Sequence, residues 1–505
     1  MVSTVNSFGV YGINGYMVSV ECDISRGLPV FDIVGFPSNV VKESSDRVRA
    51  ATKNCNFDFP LRRITINLAP ADTKKEGAIY DLPIMLAILA SAQTIPPVPK
   101  TCAFMGELSL DGKIRPARGV LSMAICAAKN GISEFFVPAE NAAEAALARG
   151  VNIIAVETVY QVLEHLSGKR VIQPVPPKEL ENPGRPDYDF KEVRGQRHVK
   201  RALEIASAGG HNLLIIGPPG SGKSMLAKRL PSILPKLTYQ QSLAVTQIHS
   251  VAGQTTKEHP FLTQPPFRSP HHTVSNVGLA GGGAVPRPGE ISLAHNGVLF
   301  LDELPEFTKS ALEVLRQPLE DGKISVTRAS AAMEFPAEFM LICAMNPCKC
   351  GWHGYSGQRC NCTDKMVQTY VSKISGPLLD RIDIHVQANE VAFEEISQKQ
   401  DEEASDVIRA RVEVARQIQQ QRFEGTQVHF NGKMSPAQTR NFCQLTAEGQ
   451  MILKRAFEAM GFTGRSYDRV LRVARTIADL AKSEHISVEH VAEAIQFRTL
   501  DRNET

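Results

Sequence analysis

The residues best suited to chemistry form one run that follows the apolar stretch 213–216, and this run, the phosphate loop, is Gly217-Pro218-Pro219-Gly220-Ser221-Gly222-Lys223-Ser224. Glycines let a backbone curl until its N–H groups point inward at phosphate oxygens. In this pattern the lysine reaches the β- and γ-phosphates of a nucleotide, and the last serine offers its hydroxyl to Mg²⁺. The apolar stretch predicts a buried strand, and residues 225–230 predict a helix whose positive end faces the phosphates. We therefore expect a site for ATP and Mg²⁺ here.

Two carboxylates follow a second apolar run, residues 297–301. If this run is a strand of the same parallel sheet, Asp302 and Glu303 emerge at the edge where the phosphate loop lies. Asp302 would then hold Mg²⁺, and Glu303 would orient or deprotonate the water that attacks the γ-phosphate. The alternative is a strand that simply ends in a solvated acidic pair.

A third apolar run, 339–345, ends in the polar residue Asn346, and Arg381 follows within the segment 376–383. Both segments are similar to those of ring-forming AAA+ ATPases. In that family the polar residue at the strand tip contacts the γ-phosphate or the lytic water, and an arginine finger enters the neighbouring subunit's site. A guanidinium suits this role because its rigid fork of donors spreads transition-state charge. Arg381 could instead form an ordinary ion pair with Asp380 or Asp383.

Four of the ten cysteines lie close together in a glycine-containing loop, at Cys348, Cys350, Cys360 and Cys362. Four thiolates can close a tetrahedral Zn²⁺ site, which would staple a loop that has no core of its own. His353 could replace one of these ligands, and free thiols are the alternative. The six other cysteines are scattered, and we expect them in the core.

The composition, 43% hydrophobic and 22% charged over 505 residues, predicts about two to four soluble globular domains. No apolar run reaches the roughly 18 residues of a membrane span, and the N-terminus lacks a basic region followed by an apolar one. We therefore expect a cytoplasmic protein with unpaired thiols and no membrane partner. A net charge of +3 is too small to indicate nucleic-acid binding, so any DNA contact must come from a local patch.

Residues 1–170 alternate short apolar runs with glycine and polar breaks before helical and strand patterns begin, which predicts a compact α+β domain. The segments 75–83 and 106–116 resemble the proteolytic domain of Lon proteases. In that family a lysine activates a serine nucleophile, and the two positions fall here at about Ile79 and Leu121. Neither residue can be a nucleophile or a base. We expect a structural or oligomerising module without peptidase activity.

Several prolines close together mark the end of this domain, and proline at that density favours an extended spacer, placed at 171–187. The predicted fold class is α/β, with an ATPase core on a parallel sheet at 188–388. The cysteine loop is an insert in this core at 348–362. Residues 389–505 are predicted to form a helical lid, because glycine is sparse there and helical spacing dominates.

One lid segment, 464–472, resembles the part of AAA+ proteins that carries the sensor 2 arginine. Arg465 falls on that arginine, although Arg469 or Arg472 could share the role. The alternative is an exposed basic helix face with no role in catalysis.

Two insertions distinguish the predicted core. The first lies within 267–290, and the second, 319–326, predicts a hairpin with an Asp-Gly turn. Insertions at these places are similar to those of magnesium-chelatase subunits, replicative MCM helicases and bacterial enhancer-binding activators, where the two loops line a central pore. Arg287, and Lys323 at the predicted hairpin tip, are candidates for contact with DNA phosphates. Exposed basic loop tips without such a role are common.

The Lon-like domain, the spacer, the ATPase core and the lid, in this order, resemble the ComM/YifB family of magnesium-chelatase-like proteins. The resemblance implies a homo-hexameric ring that uses ATP and Mg²⁺ as a DNA helicase. It also implies single-stranded or branched DNA as the partner and branch migration during natural transformation as the role. A chelatase-type remodeller that acts on a partner protein remains an alternative. A Lon-type peptidase is another, which the residues at 79 and 121 argue against.

Overall fold

The computed structural model describes residues 2–177, 188–283, 286–328, 331–355, 360–390 and 402–498. Within these ranges the chain forms two compact units. The first unit combines the N-terminal residues through 177 with Thr238–Thr263, and the second combines 188–237 with 264–498. Residues 178–187 of the predicted spacer lie outside the described ranges.

The described part of the first unit holds nine strands: β1 (Ser3–Tyr11), β2 (Asn14–Ser25), β3 (Phe31–Val34), β4 (Arg63–Ala69), β5 (Cys102–Phe104), β6 (Glu107–Leu108), β7 (Ile114–Arg115), β8 (Glu134–Pro138) and β9 (Asn152–Val156). Seven of them form a mixed sheet in the order β3-β4-β2-β1-β5-β8-β9. Strands β1 and β2 pair antiparallel, whereas β5, β8 and β9 run parallel to one another. This arrangement confirms the predicted α+β module.

The helices of the first unit cover both faces of this sheet, and they are Asn39–Lys42, Ser44–Asn54, Asp81–Ser91, Val120–Lys129, Ala142–Ala145, Val159–Leu166 and Tyr239–Ala252. Asp81–Ser91 is buried along nearly its whole length. Ile79 and Leu121, the positions of the Lon serine and lysine, belong to one apolar cluster on this sheet. The two positions therefore come together, as in the protease, but as hydrocarbon side chains.

The helix Tyr239–Ala252 lies within the predicted ATPase segment 188–388, yet it belongs to the first unit. It buries Val245 and Ile248 and packs against the helix Val120–Lys129. The sequence gave no sign of this excursion, because an amphipathic helix does not show which of two neighbouring cores it covers.

The second unit holds, in its described part, nine more strands: β10 (Leu213–Ile216), β11 (Phe267–Arg268), β12 (Gly281–Gly282), β13 (Arg287–Pro288), β14 (Val298–Leu301), β15 (Lys323–Arg328), β16 (Ala331–Pro336), β17 (Met340–Met345) and β18 (Ile384–Gln387). Five of them form an all-parallel sheet in the order β11-β14-β17-β10-β18. Strands β10, β14 and β17 are buried throughout, as strands covered on both faces must be. Burying each Leu or Ile side chain here contributes about 1.5–3 kcal/mol.

Helices of the core surround this sheet and are Arg197–Gly209, Lys223–Arg229, Asn276–Ala280, Glu290–Leu293, Lys309–Val314, Arg316–Asp321, Asp364–Val371 and Gly376–Leu379. The predicted helical lid is confirmed, with helices at Ser405–Arg422, Pro436–Phe442, Ala447–Met460, Gly464–Leu480 and Val488–Gln496. Core and lid share one continuous apolar cluster, which includes Ile205 of the core and Val473 of the lid. Among the described residues, no helix is long and apolar enough to cross a membrane.

Candidate nucleotide site

The phosphate loop lies at the carboxyl end of β10, and close contacts explain two of its glycines. A Cβ atom at Gly217 would lie 2.6 Å from the carbonyl oxygen of Ala388, so no larger residue fits without movement. Gly222 has φ of 82°, a left-handed conformation that L side chains rarely adopt. The helix Lys223–Arg229 begins directly after it. The predicted strand, glycine-rich turn and helix are all present.

Lys223 is buried inside the loop, where its Nζ donates to the carbonyl oxygens of Gly217 and Pro218, both at 2.8 Å. It also donates to Oδ1 of Asn346 at 3.2 Å. Burial lowers the pKa of Lys223, while the nearby carboxylates of Asp302 and Glu303 oppose that shift. The loop therefore holds a partly desolvated cation next to the polar tip of β17, which is suitable for an anionic phosphate.

Ser224 and Asp302 come from different strand ends and meet at 2.5 Å between Oγ and Oδ2. The parallel pairing of β14 with β17 and of β17 with β10 brings these ends to one edge of the sheet. A hydroxyl and a carboxylate oxygen are the hard ligands that Mg²⁺ prefers, so this donor set fits the ion.

Glu303 adopts a left-handed backbone conformation, with φ of 51° and ψ of 48°. Such strain in a non-glycine residue is concentrated at functional sites, where it aims a side chain. The carboxylate is more than half exposed and lies 3.5 Å from Nδ1 of His272. His272 belongs to the Pro270-His271-His272 run, for which the sequence suggested no role, because its proximity to Glu303 depends on the tertiary fold.

A cavity of about 440 Å³ adjoins the phosphate loop. Glycines 220 and 222 line one side of it, and Val193, Arg194 and Gln196 line the other. Gln196 Nε2 donates to the carbonyl oxygen of Ser221 at 3.1 Å, which ties the two sides together. The segment after Asp189 thus lies where the AAA+ resemblance places the adenine-covering segment.

Arg381 and Arg465 line a second cavity, of about 470 Å³, which shares no lining residue with the first. The guanidinium of Arg381 pairs with Glu320 and donates to the carbonyl oxygen of Pro377 at 2.5 Å. The expected alternative partners of Arg381 are wrong: Asp380 lies 3.6 Å from Arg465, and Asp383 pairs elsewhere. Glu320 was not considered from the sequence, because it is far from Arg381 along the chain.

The second insertion differs from its prediction. Asp321 and Gly322 end the helix Arg316–Asp321, where Gly322 with φ of 65° is the cap, and they are not the hairpin turn. The hairpin is formed by β15 and β16, and its register pairs Lys323 with Pro336 at the base and Arg328 with Ala331 at the far end. Lys323 is therefore at the base, not the tip, and its Nζ bonds Glu334 at 2.8 Å. A two-residue Asp-Gly signal cannot tell a helix cap from a hairpin turn.

The first insertion forms a smaller hairpin from β12 and β13, in which Arg287 pairs in register with Gly282. Arg287 is exposed. A Cβ atom at Gly282 would lie 3.9 Å from Cγ1 of Val326 in β15. The two hairpins are therefore neighbours, as the resemblance to pore-loop ATPases implies.

The four clustered cysteines, at 348, 350, 360 and 362, bring their sulfur atoms within 4.8 Å of one another. Cys348 is buried, and a hydrogen bond from the Trp352 backbone contributes most to lowering the pKa of Cys350 to about 6. Four sulfur ligands at this spacing fit a metal that prefers tetrahedral thiolate coordination. His353 is exposed and does not belong to this group. The other six cysteines are free thiols, and all but Cys126 are buried.

The cysteine loop also contacts the phosphate loop directly. A Cβ atom at Gly351 would lie 2.5 Å from Cδ of Pro219, and Gly351 itself has φ of 90°. The Tyr355 hydroxyl donates to the carbonyl oxygen of Ala388 at 3.1 Å, the same oxygen that crowds Gly217. The cysteine loop therefore braces the phosphate loop.

Three family models match the chain, described as "Magnesium chelatase, subunit ChlI" over residues 189–396, "Subunit ChlI of Mg-chelatase" over 20–141, and "Magnesium chelatase, subunit ChlI C-terminal" over 402–498. The chain is 39% identical to Competence protein ComM of Haemophilus influenzae over 507 residues, which covers 99% of this chain and 98% of that protein. It is 40% identical to the protein YifB of Escherichia coli over 503 residues, with the same coverage of both chains.

A shorter similarity concerns Lon protease of Brucella suis, at 27% identity over 194 residues, or 36% of this chain and 24% of that protein. This match agrees with the Lon-like character of part of the chain. The near-complete coverage by ComM and YifB, the three family matches and the geometry of the phosphate loop lead to one assignment. The chain belongs to the ComM/YifB family of magnesium-chelatase-like AAA+ proteins.

Proposed function

We propose that the protein is an ATPase and that it hydrolyses ATP at the phosphate loop. The observation that carries this proposal is the meeting of Lys223, Ser224, Asp302, Glu303 and Asn346 at one edge of the parallel sheet. Mg²⁺ bound between Ser224 and Asp302 would neutralise phosphate charge. Purified protein should release phosphate from ATP, and the Lys223→Ala variant should not.

The roles of the chain's own residues follow from their positions. Lys223 neutralises the terminal phosphates from inside the loop, and Asn346 holds Lys223 and faces the γ-phosphate. Glu303, held by its strained backbone next to His272, accepts a proton from the attacking water. Water and phosphate are thereby aligned for in-line transfer, which supplies most of the catalysis in this reaction class.

The active assembly is proposed to be a homo-hexameric ring in which Arg381 and Arg465 act on the neighbouring copy's nucleotide. The support is that both arginines line a cavity separate from that of their own phosphate loop. An arginine finger stabilises the charge that spreads over the transferred phosphoryl group. Membership of a ring-forming ATPase family agrees with such an assembly.

DNA is the proposed substrate of the ring, and a helicase that drives branch migration during recombination is the proposed activity. The neighbouring hairpins with Arg287 and Lys323 supply basic groups at one place, where single-stranded or branched DNA could bind. The word competence in the name of ComM connects that relative to DNA uptake. The free thiols favour a reducing compartment, the cytoplasm.

The alternative is a chelatase-type remodeller that acts on a partner protein, which the descriptions of the family models favour. DNA-dependent stimulation of ATP turnover separates the two, because a remodeller would respond to its protein partner instead. Peptidase activity is not proposed, because apolar side chains occupy positions 79 and 121.

A further inference from the structure

The second cavity, here named the basic cavity, lies between the core and the lid and is unusually rich in cations. Among its lining residues are five basic side chains against three acidic ones, and the basic ones are Arg381, Lys433, Arg465, Arg469 and Arg472. Its volume, about 470 Å³, is large enough for a phosphoryl group and its solvent. Like charges collected in a confined space destabilise one another unless an anion joins them.

Arg469, on the lid helix Gly464–Leu480, is the most informative of these residues. It is only 9% exposed, and its Nε lies 3.5 Å from Oδ1 of Asp383. Its second nitrogen, NH1, is buried and has no hydrogen-bond partner among the described residues. Burial lowers the pKa of Arg469, and Asp383 opposes that shift. The guanidinium is thus desolvated and only partly compensated.

Asp383 cannot supply the missing compensation, because it is already shared. Besides Arg469, it lies 3.4 Å from Nδ1 of His211 and accepts from the backbone N–H of Asn212 at 3.2 Å. Burial alone would raise the pKa of Asp383, but His211 and the neighbouring arginines hold it at about 2. One carboxylate therefore serves several donors.

Arg381 shows the same feature in the same cavity. Its Nε is buried and has no hydrogen-bond partner in the described part of the chain, while its NH2 pairs with Glu320. Glu320 is a mostly exposed side chain. Buried polar groups in folded proteins nearly always have a partner, so two unpaired guanidinium N–H groups in one cavity indicate a ligand. Guanidinium groups prefer oxyanions with several acceptor oxygens, of which phosphate is the main biological example.

We infer that the basic cavity binds a phosphoryl group and that Arg469 is its buried anchor, with Arg381 as the second donor. This deepens the proposed function and rests on it in one respect, the source of the phosphate. The phosphoryl group is either the terminal phosphate of a nucleotide held by a neighbouring copy or free inorganic phosphate. In both cases the chemistry of recognition is the same.

The first experiment measures phosphate binding without any nucleotide. Full-length Lys223→Ala protein, whose own phosphate loop is impaired, is titrated calorimetrically with inorganic pyrophosphate. Adding Arg469→Gln should weaken binding at least tenfold. The matched control is Arg472→Gln, since the Arg472 guanidinium already donates to Gly432 O at 3.2 Å and to Thr439 Oγ1 at 3.3 Å. The control should change the affinity less than threefold, and equal affinities for all three proteins would overturn the inference.

Folding of the variants is checked by thermal unfolding, because Arg469 pairs with the buried Asp383. If Arg469→Gln unfolds early, Arg469→Lys takes its place. Lysine keeps the positive charge near Asp383 but lacks the second donor, so pyrophosphate binding should weaken at least threefold. Unchanged affinity in a folded Arg469→Lys protein would also overturn the inference.

The second experiment identifies the source of the phosphate by mixing Arg469→Gln protein with Lys223→Ala protein. If the neighbour's nucleotide supplies the group, mixed rings pair an intact phosphate loop with an intact basic cavity, and ATP hydrolysis recovers. With subunit exchange demonstrated, no recovery assigns the cavity to free phosphate. Wild-type protein that hydrolyses no ATP would refute the proposed function, whereas the pyrophosphate titration would still decide whether the cavity binds phosphate.

Discussion

Ser224 Oγ donates a hydrogen bond to Asp302 Oδ2 although 78 residues separate the two along the chain. The serine ends the phosphate loop, and the aspartate follows β14 directly. Only a parallel sheet, which delivers successive strand ends to the same edge, places both there. This contact is the structural basis for the Mg²⁺ site and for the ATPase proposal.

Replacing Glu303 with Gln should leave ATP binding nearly unchanged and lower its hydrolysis by about a hundredfold or more, since an amide cannot accept the proton of the attacking water. Binding is measured with a fluorescent ATP analogue, and hydrolysis by phosphate release. Glu306→Gln is the matched control, because Glu306 is also exposed but pairs with Lys373 at 3.5 Å. Wild-type turnover in the Glu303→Gln variant would remove Glu303 as the base.

Arg381 should act across the interface between two copies. Arg381→Ala and Lys223→Ala proteins are each expected to be inactive, by roughly a thousandfold for loss of a finger. Their mixture should recover part of the activity, because some interfaces then combine an intact loop with an intact arginine. Failure to recover, once subunit exchange has been verified by labelled protein, would show that Arg381 acts within its own chain or only structurally.

The cysteine cluster should hold one Zn²⁺ per chain. Cys360→Ser combined with Cys362→Ser should reduce the zinc content to near zero and lower ATP hydrolysis while nucleotide still binds. The reason is that the loop braces Pro219 through Gly351, and without metal it buries too little to offset an ordering entropy of about 1–2 kcal/mol per residue.

Elemental analysis of wild-type protein is the direct measurement for the metal. The control is Cys126→Ser, which removes a partly exposed thiol far along the chain from the cluster and should leave the zinc content unchanged. Zinc well below one per chain, with all four clustered thiols titrating freely in folded protein, would contradict the assignment.

The two basic hairpin residues should differ in their effect on DNA affinity. Arg287 is exposed, so Arg287→Ala should weaken binding of single-stranded DNA and reduce the salt dependence of binding by about one phosphate contact. Lys323 is engaged by Glu334 at the hairpin base, so Lys323→Ala should have a smaller effect. Fluorescence anisotropy at several salt concentrations measures both. Equal affinity for wild type and Arg287→Ala would remove Arg287 from the DNA surface.

The sequence was informative where a local pattern has one structural meaning. The apolar run before Gly217 and the run before Asp302 correctly predicted buried parallel strands, because a four-residue strand covered on both faces needs uniform apolarity. The lid helices were equally predictable from their spacing.

Relationships between distant residues were not predictable. Glu320 beside Arg381, His272 beside Glu303 and Gly351 against Pro219 depend on how loops of the core return to the sheet. The Asp321-Gly322 pair failed for a different reason, since the left-handed conformation that a hairpin turn favours also ends a helix.

The central claim, that ATP hydrolysis drives movement along DNA, is tested most directly by following a mobile four-way DNA junction in the presence of wild-type protein, ATP and Mg²⁺. We predict ATP-dependent resolution of the junction into two duplexes, together with an at least threefold rise in ATP turnover on adding the junction. Glu303→Gln protein should show neither effect, and a block of non-complementary sequence should slow the movement. ATP turnover that no single-stranded, forked or junction DNA changes, with the junction left intact, would contradict the account.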